Sequence, residues 1–378
     1  MNIAARPSEE LLRALHAFAA DINRSIAFME VCGTHTTSAF RCGLHSVMPK
    51  NVRLISGPGC PVCVTAQADI DELIDLGSRR EITLCTYGDM LRVPGKHGSL
   101  EKARGDGANI EVVYSSLDAV RMAQTHPDRQ VVFAAVGFET TAPATAAAIC
   151  AAQELGLDNF TVLASHKLIL PAMRALLSAA DRPKIDGFLC PGHVSVIIGS
   201  DAYRCIVEEF NTPCVIGGFE PGLLLSSLLC LTEMIAAGRV ALVNQYPQAV
   251  RPTGNAHAQA LLQKVFETGN ARWRGLGLIP QSGLFLRQDY ARFNAAQRFN
   301  LKPVEDHEPA GCICGRVISG LALPPECKLF GRACTPVQPI GPCMVSSEGT
   351  CAAWFKYGPH RAKSHGVAPA QQLQEVLP

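Results

Sequence analysis

The chain has 378 residues, 48% of them apolar, and is nearly charge-balanced, with 34 Lys and Arg against 33 Asp and Glu. That length and apolar content suit two or three domains with buried cores and exclude disorder as the main state. Balanced charge leaves no overall field to draw in nucleic acid, an anionic membrane or acidic substrates. The outlying number is 16 cysteines, too sparse for a small disulfide scaffold and high for a large globular protein.

The N-terminal stretch MNIAARPSEELLRALHAFAADINRS lacks a basic run followed by an apolar core and a small-residue cleavage site, so no export signal is expected. The most apolar stretch, residues 222–241, is interrupted by Glu233 and Arg239 and falls short of the roughly 18 uninterrupted apolar residues of a membrane span. The chain therefore reads as cytoplasmic, with neither a membrane nor a nucleic-acid partner. In a reducing compartment, clustered cysteines point to metal ligands or redox-active thiols rather than structural disulfides.

Taken in chain order, a capped helix over 8–20 is followed by short β-rich runs at 26–31, 52–56, 82–86, 110–114, 131–136, 161–164, 187–190 and 214–217. Helical patterns lie between them at 66–76, 117–124, 143–155, 168–180 and 221–237. This alternation predicts an α/β fold of parallel sheets with helices on both faces. The four strand starts from 26 to 110 recur from 131 to 214 at offsets of 104 to 109 residues, which aligns Val31 with Val136, Thr36 with Thr141 and Cys85 with Cys190. Two similar domains are expected, 1–125 and 126–243. If they face one another, their strand-end loops meet in one cleft, where ligands of open α/β sheets bind. From about Asn244 the alternation fades, and residues 244–378 form a third region rich in Cys, Gly and Pro.

The first strand runs into Cys32-Gly33-Thr34-His35-Thr36-Thr37, a strand-to-helix turn. Helix-start N–H groups and a nearby imidazolium both lower a thiol pKa, so Cys32 is placed to be a thiolate at neutral pH; a buried structural cysteine is the plainer alternative. After the second strand, Gly57-Pro58-Gly59-Cys60-Pro61-Val62-Cys63 carries a CxxC pair that either closes a small disulfide ring or supplies half of a zinc site. In the zinc case, Cys32 with His35 or Cys42 with His45 would complete the ligand set. Cys312, Cys314, Cys327, Cys334, Cys343 and Cys351 gather within forty residues, and thiolates at such irregular spacing fit an iron–sulfur cluster or a tetrahedral zinc. Two polar turns follow strands of the second unit. Glu139 in Gly137-Phe138-Glu139-Thr140-Thr141 and His193 in Pro191-Gly192-His193 are candidates to move protons, against the alternatives of helix capping and a core histidine. Cys85, Cys150, Cys190, Cys205, Cys214 and Cys230 sit in apolar runs and read as packing residues. The nucleotide and hydrolase signatures GxxxxGK[ST], GxGxxG after a strand and GxSxG are absent.

Together, EVCGTHT, GPGCPVC, RVPGKHGSL, GFETTAP, PGHVSVIIG, NQY, WRGLG, ECKLFGRACTP and GPCMVSSEGTCAAW resemble the HypD family of nickel–iron hydrogenase maturation proteins, from about Glu30 to Tyr357. The resemblance implies two similar α/β domains and a [4Fe-4S] cluster. It also implies a scaffold role, shared with a HypC-type chaperone, in assembling an Fe(CN)2CO unit with cyanide delivered by a HypE-type donor. Such a protein is an assembly scaffold with redox activity rather than a conventional turnover enzyme. By motif, Cys32 is the iron-binding thiolate with His35 beside it, and Cys60 and Cys63 are the redox pair. Cys314, Cys327, Cys334 and Cys351 bind the cluster, with Cys312 as the nearest rival and Cys343 spare. Electron exchange between the cluster and the Cys60/Cys63 pair is the mechanistic hypothesis. Gly222 departs from the family, which more often has an acidic residue there. The alternatives are a cluster-dependent thiol–disulfide oxidoreductase and a zinc-stabilised binding module.

Overall fold

The computed structural model describes residues 7–181, 183–302 and 304–358. The expected strands are present as β1 (Ile26–Glu30), β2 (Val52–Ser56), β3 (Ile82–Thr86), β4 (Asn109–Val112), β5 (Gln130–Gly137), β6 (Phe160–His166), β7 (Gly187–Pro191) and β8 (Cys214–Gly217). A short β9 (Leu242–Asn244) and a hairpin of β10 (Phe266–Trp273) and β11 (Gly277–Leu286) follow. Two parallel sheets result, one in the order β2-β1-β7-β8-β9 and one in the order β4-β3-β5-β6.

The pairing corrects the expected division of the chain at residue 125. Each repeated unit gives its first two strands to one sheet and its last two to the other, so β1 and β2 pair with β7 and β8 while β3 and β4 pair with β5 and β6. The repeat itself is visible in the orders: β2-β1-β7-β8 in one sheet matches β6-β5-β3-β4 in the other, strand for repeated strand. Apolar periodicity marks a strand but carries no information about its partner, and so the interleaving was invisible in sequence.

Alternation along the strands then creates three cores. On β1, Ala27 and Met29, with Val31 just beyond it, face a central core, while Ile26 and Phe28 face an outer one. On β5, Val132, Ala134 and Val136 enter the same central core, and Val131, Phe133 and Ala135 face the opposite outer one. Successive side chains point to opposite faces of a strand, so a strand buried on both sides must be apolar throughout; this accounts for the unbroken apolar runs. Helices Ser8–Ala20 and Pro221–Ala236 cover the outer face of the first sheet. Helices Ser116–Thr125 and Ala142–Glu154 cover that of the second. The first helix has Pro7 at its N-cap and no side-chain cap, unlike the capped start expected. A Cβ at Gly222, in the first turn of Pro221–Ala236, would meet open space, so the fold itself does not require glycine there.

The antiparallel hairpin and the helix Ala256–Val265 before it fall where the alternation fades. Gly269, Gly277 and Gly283 and a register shift between Gly269 and Ala271 dilute the strand signal. The hairpin docks through Trp273, 1% exposed, which stacks on Phe138 at 6.0 Å and donates from Nε1 to Ser282 Oγ at 2.9 Å. Among the described residues no helix is long and apolar enough to cross a membrane. Because Trp273 belongs to the core shared by both sheets, Trp273→Ala is expected to lower the unfolding free energy by about 3–5 kcal/mol in a single transition, measured by denaturant unfolding followed with circular dichroism.

Candidate functional site

Cys32 is the N-cap of helix Gly33–Arg41 at the carboxyl end of β1, and Cys60 is the N-cap of helix Pro61–Val64 beyond β2. The two loops touch through their backbones. Gly33 N donates to Gly59 O at 3.1 Å, and a Cβ on Gly59 would lie 2.2 Å from Cys32 N. Only glycine permits this approach. Cys60 and Cys63 are joined as a disulfide with Cα atoms 5.2 Å apart, so the pair does not stand as half of a zinc site. Cys63 is fully buried and Cys60 nearly so. Of the other zinc candidates, Cys42 Sγ turns to Ala39 O, and His45 stacks on Phe40 at 4.0 Å.

Around Cys32 the groups come from both ends of the chain. Thr34 Oγ1 donates to Glu348 Oε1 at 2.6 Å, which brings a carboxylate from the cysteine-rich region beside the thiol. His35 is buried, donates from Nε2 to Gly217 O at 3.2 Å, and packs against Phe219 at 4.8 Å. The exposed His193 stacks on Phe219 at 4.0 Å. The first sheet's strand ends therefore bring Cys32, the disulfide, His35 and His193 together.

The ionisation expected of Cys32 is reversed. Burial pushes its thiol up to about 12; the N–H of His35 opposes that shift without closing a cap, and the Glu348 charge adds to it. Burial likewise lowers His35 to about 4, so the imidazole beside Cys32 is neutral at pH 7. Low-dielectric burial outweighs a helix terminus here. In the free chain Cys32 is a protonated thiol, and a bound metal would be needed to draw out the thiolate.

Cys312, Cys314, Cys327, Cys334, Cys343 and Cys351 all line one cavity, walled otherwise by Ile313, Val317, Leu329, Phe330, Gly341 and Met344. Cys312, Cys314, Cys343 and Cys351 form a row in which each sulfur acts on the next one's proton; these mutual effects and burial leave all four thiols shifted upward. Cys334 acts on Cys351, and Cys327 Sγ turns to Gly311 O at 3.8 Å. Cys312 and Cys343, set aside in the sequence reading, thus face the cavity together with Cys314, Cys327, Cys334 and Cys351. Among the described residues, no three His, Cys, Asp or Glu side chains are gathered as around a single metal ion. The donors are soft sulfurs spread around an apolar space, a set that fits an iron–sulfur group better than one tetrahedral ion.

The cavity adjoins the disulfide and the Cys32 loop. Helix Pro61–Val64 packs on helices Cys314–Ile318 and Pro342–Val345. Between Cys343 and Cys351 the chain reaches out: Ser346 Oγ donates to Asp89 Oδ2 at 3.0 Å, Thr37 Oγ1 donates to Ser347 O at 3.2 Å, and Glu348 receives Thr34. Asp89 follows β3 of the second sheet and Thr34 follows β1 of the first, so this segment spans the two sheets' strand ends. Asp89 and Glu348 carried no sequence signal, because each gains its role from a partner more than 250 residues away.

Glu139 takes a different position. Its Oε1 accepts from Ile169 N at 3.0 Å, and its buried Oε2 has no partner among the described residues. The second sheet also carries a feature absent from the sequence reading. A cavity of about 310 Å³ at the end of β6 is lined by Asp69, Ser165 and Lys167, and the 97% buried Lys167 pairs with Asp69 at 3.1 Å.

Gly59→Ala is expected to cost about 1–3 kcal/mol, checked by denaturant unfolding. Burial, opposed by the N–H groups of Glu139 itself and Ile169, raises the Glu139 carboxyl from 4.5 to about 7. A raised folded-state pKa contributes stability that is whole below pH 4.5 and is lost as pH rises through 7. Relative to Glu139→Gln, the native chain is therefore expected to lose up to about 3 kcal/mol between pH 4.5 and 7, read from urea unfolding at a series of pH values.

A family model described as "HypD: Hydrogenase formation hypA family" matches residues 7–358. The chain is 47% identical over 363 residues to a hydrogenase maturation factor HypD of Azotobacter vinelandii, covering 94% of this chain and 96% of the relative. It is 47% identical over 368 residues to that of Rhizobium leguminosarum bv. viciae, covering 95% of each. To that of Escherichia coli K12 it is 44% identical over 335 residues, covering 88% and 90%. With the family matched over nearly its whole length, and with relatives at this identity, the chain belongs to the HypD family.

Proposed function

We propose that this chain is a hydrogenase maturation factor and that, with a HypC-type chaperone, it holds the iron on which an Fe(CN)2CO unit is assembled. Cys32 supplies this chain's thiolate to that iron, its cargo. A HypE-type protein is the transient cyanide donor. Cysteines of the cavity, Cys314, Cys327, Cys334 and Cys351 by motif, hold a [4Fe-4S] cluster, which supplies one-electron exchange when bound. The observation that carries the reading is the junction of three thiol sites: the disulfide helix packs on the cavity's helices, and the segment from Cys343 to Cys351 touches the Cys32 loop.

The chain's own residues divide the work. Binding iron removes a proton from Cys32 Sγ. Glu348, which accepts the Thr34 hydroxyl beside the thiol, and the exposed imidazole of His193 are the groups at the opening that can take it. His35 is fixed by Gly217 O with Nε2 as donor, which leaves its buried Nδ1 a bare acceptor without a partner among the described residues. Cys60 and Cys63 accept two electrons and two protons when their disulfide opens to thiols, and return them when it closes. Exchange with a protein substrate needs an accessible sulfur. The burial of Cys60 and Cys63 favours an internal redox partner over a free-standing oxidoreductase.

Anaerobically prepared protein is expected to contain about four irons and four acid-labile sulfides per chain, with Cys314→Ser lowering both. Cys32→Ser is expected to keep the cluster and to remove the cyanide and carbonyl infrared bands from the complex with the chaperone. An iron-free chain, or bands that persist in Cys32→Ser, would overturn the reading.

A further inference from the structure

Of the motifs in the sequence, Trp273-Arg274-Gly275-Leu276-Gly277 has no part in the chemistry above. Its arginine is 2% exposed. Arg274 N donates to Val64 O at 2.9 Å, Nε to Thr65 O at 3.1 Å and Nη2 to Gln67 Oε1 at 3.1 Å. These acceptors are uncharged, and among the described residues no carboxylate lies within ion-pair distance. A guanidinium cannot shed its proton to escape burial, and an unpaired buried charge is costly. A compensating negative charge is therefore to be sought in whatever else adjoins it.

The neighbours are the two thiol sites, with the Glu308 carboxylate set against Gly315 at the same joint. On one side Arg274 is tied to Val64, Thr65 and Gln67, the residues that follow Cys63. On the other, Gly275 presses on Gly315, which follows Cys314: a Cβ on Gly275 would stand 2.4 Å from Gly315 Cα, and Ser319 Oγ donates to Gly275 O at 3.4 Å. Gly275 has φ +73°, so the turn that permits this contact favours glycine. The guanidinium is thus placed at the joint between the disulfide helix and the first helix of the cysteine cavity.

We infer that Arg274 is the built-in counter-charge of the cysteine-lined centre, a positioning residue that raises the reduction potential of the group held there. The inference rests on the proposed cluster. A low-potential one-electron donor such as dithionite adds one electron and one negative charge to the centre, with no bond made or broken, and a fixed cation nearby stabilises the more negative state.

The test uses the full chain prepared anaerobically, with iron and sulfide analysis and a dithionite titration followed by electron paramagnetic resonance. Arg274→Gln removes the charge, Arg274→Lys keeps it, and Gln67→Glu neutralises it in place while keeping an acceptor for Nη2. With iron content at the native level, Arg274→Gln and Gln67→Glu are each expected to lower the reduced-to-oxidised ratio about tenfold at the native midpoint. That corresponds to a downshift of about 59 mV for a one-electron couple. Arg274→Lys is expected to stay within about threefold. Should Arg274→Gln fail to fold, Gln67→Glu carries the test. An unmoved potential in Gln67→Glu, or a Lys variant shifted as far as the Gln variant, overturns the role of Arg274 alone. A native chain without iron and sulfide overturns the cluster reading and this one together.

Discussion

The hydrogen bond from Gly33 N to Gly59 O, 3.1 Å long, holds together two loops that belong to different strands and carry different chemistry. Everything at the site depends on that contact. It requires a residue without a side chain at position 59, and it sets the Cys32 loop beside the Cys60–Cys63 ring. Adjacent parallel strands β1 and β2 end at the same level, so the contact is a direct product of their register. Glu348 then closes over the joint from a region more than 300 residues along the chain.

Burial, rather than a helix terminus or a neighbouring histidine, decides the ionisation of the site. Cys32 and His35 both rest in their neutral forms at pH 7, so the resting chain is chemically quiet. A soft metal centre changes this, because coordination replaces the thiol proton directly. Under the proposed function, such a site would suit a scaffold that holds iron yet leaves other electrophiles alone. The buried disulfide follows the same logic, since its sulfurs are shielded from the solvent thiol pool.

The interleaved sheets give these sites their common frame. Each repeated unit crosses from one sheet to the other after its second strand, so neither sheet can form from one unit alone. The central core receives a face of both sheets, the disulfide, and Cys314 and Cys343. The segment from Ser346 to Glu348 bonds to Asp89 beyond the second sheet and to Thr34 beyond the first. The cysteine cavity therefore adjoins a contiguous set of packed elements that reaches the strand ends of both sheets.

Much of the fold was legible along the chain. Eight strands and the helices between them follow from apolar runs and turn residues, which are local properties, and the 104 to 109 residue repeat correctly marked a duplication. The thiol motifs were equally legible, since Cys32, Cys60 and Cys63 each stand at a strand end where α/β sheets place their ligands. The hairpin β10–β11 escaped notice because glycines and a register shift blur its alternation. The sequence by itself determined which residues could do soft-metal and redox chemistry, because that depends on atom type and nearby backbone. Only the tertiary structure decided which strands pair, that six thiols rather than four share one cavity, that burial keeps Cys32 protonated, and that Glu348, Asp89 and Arg274 belong to the junction. These outcomes depend on through-space contact and desolvation between segments far apart in the chain, and neither quantity is written in local pattern.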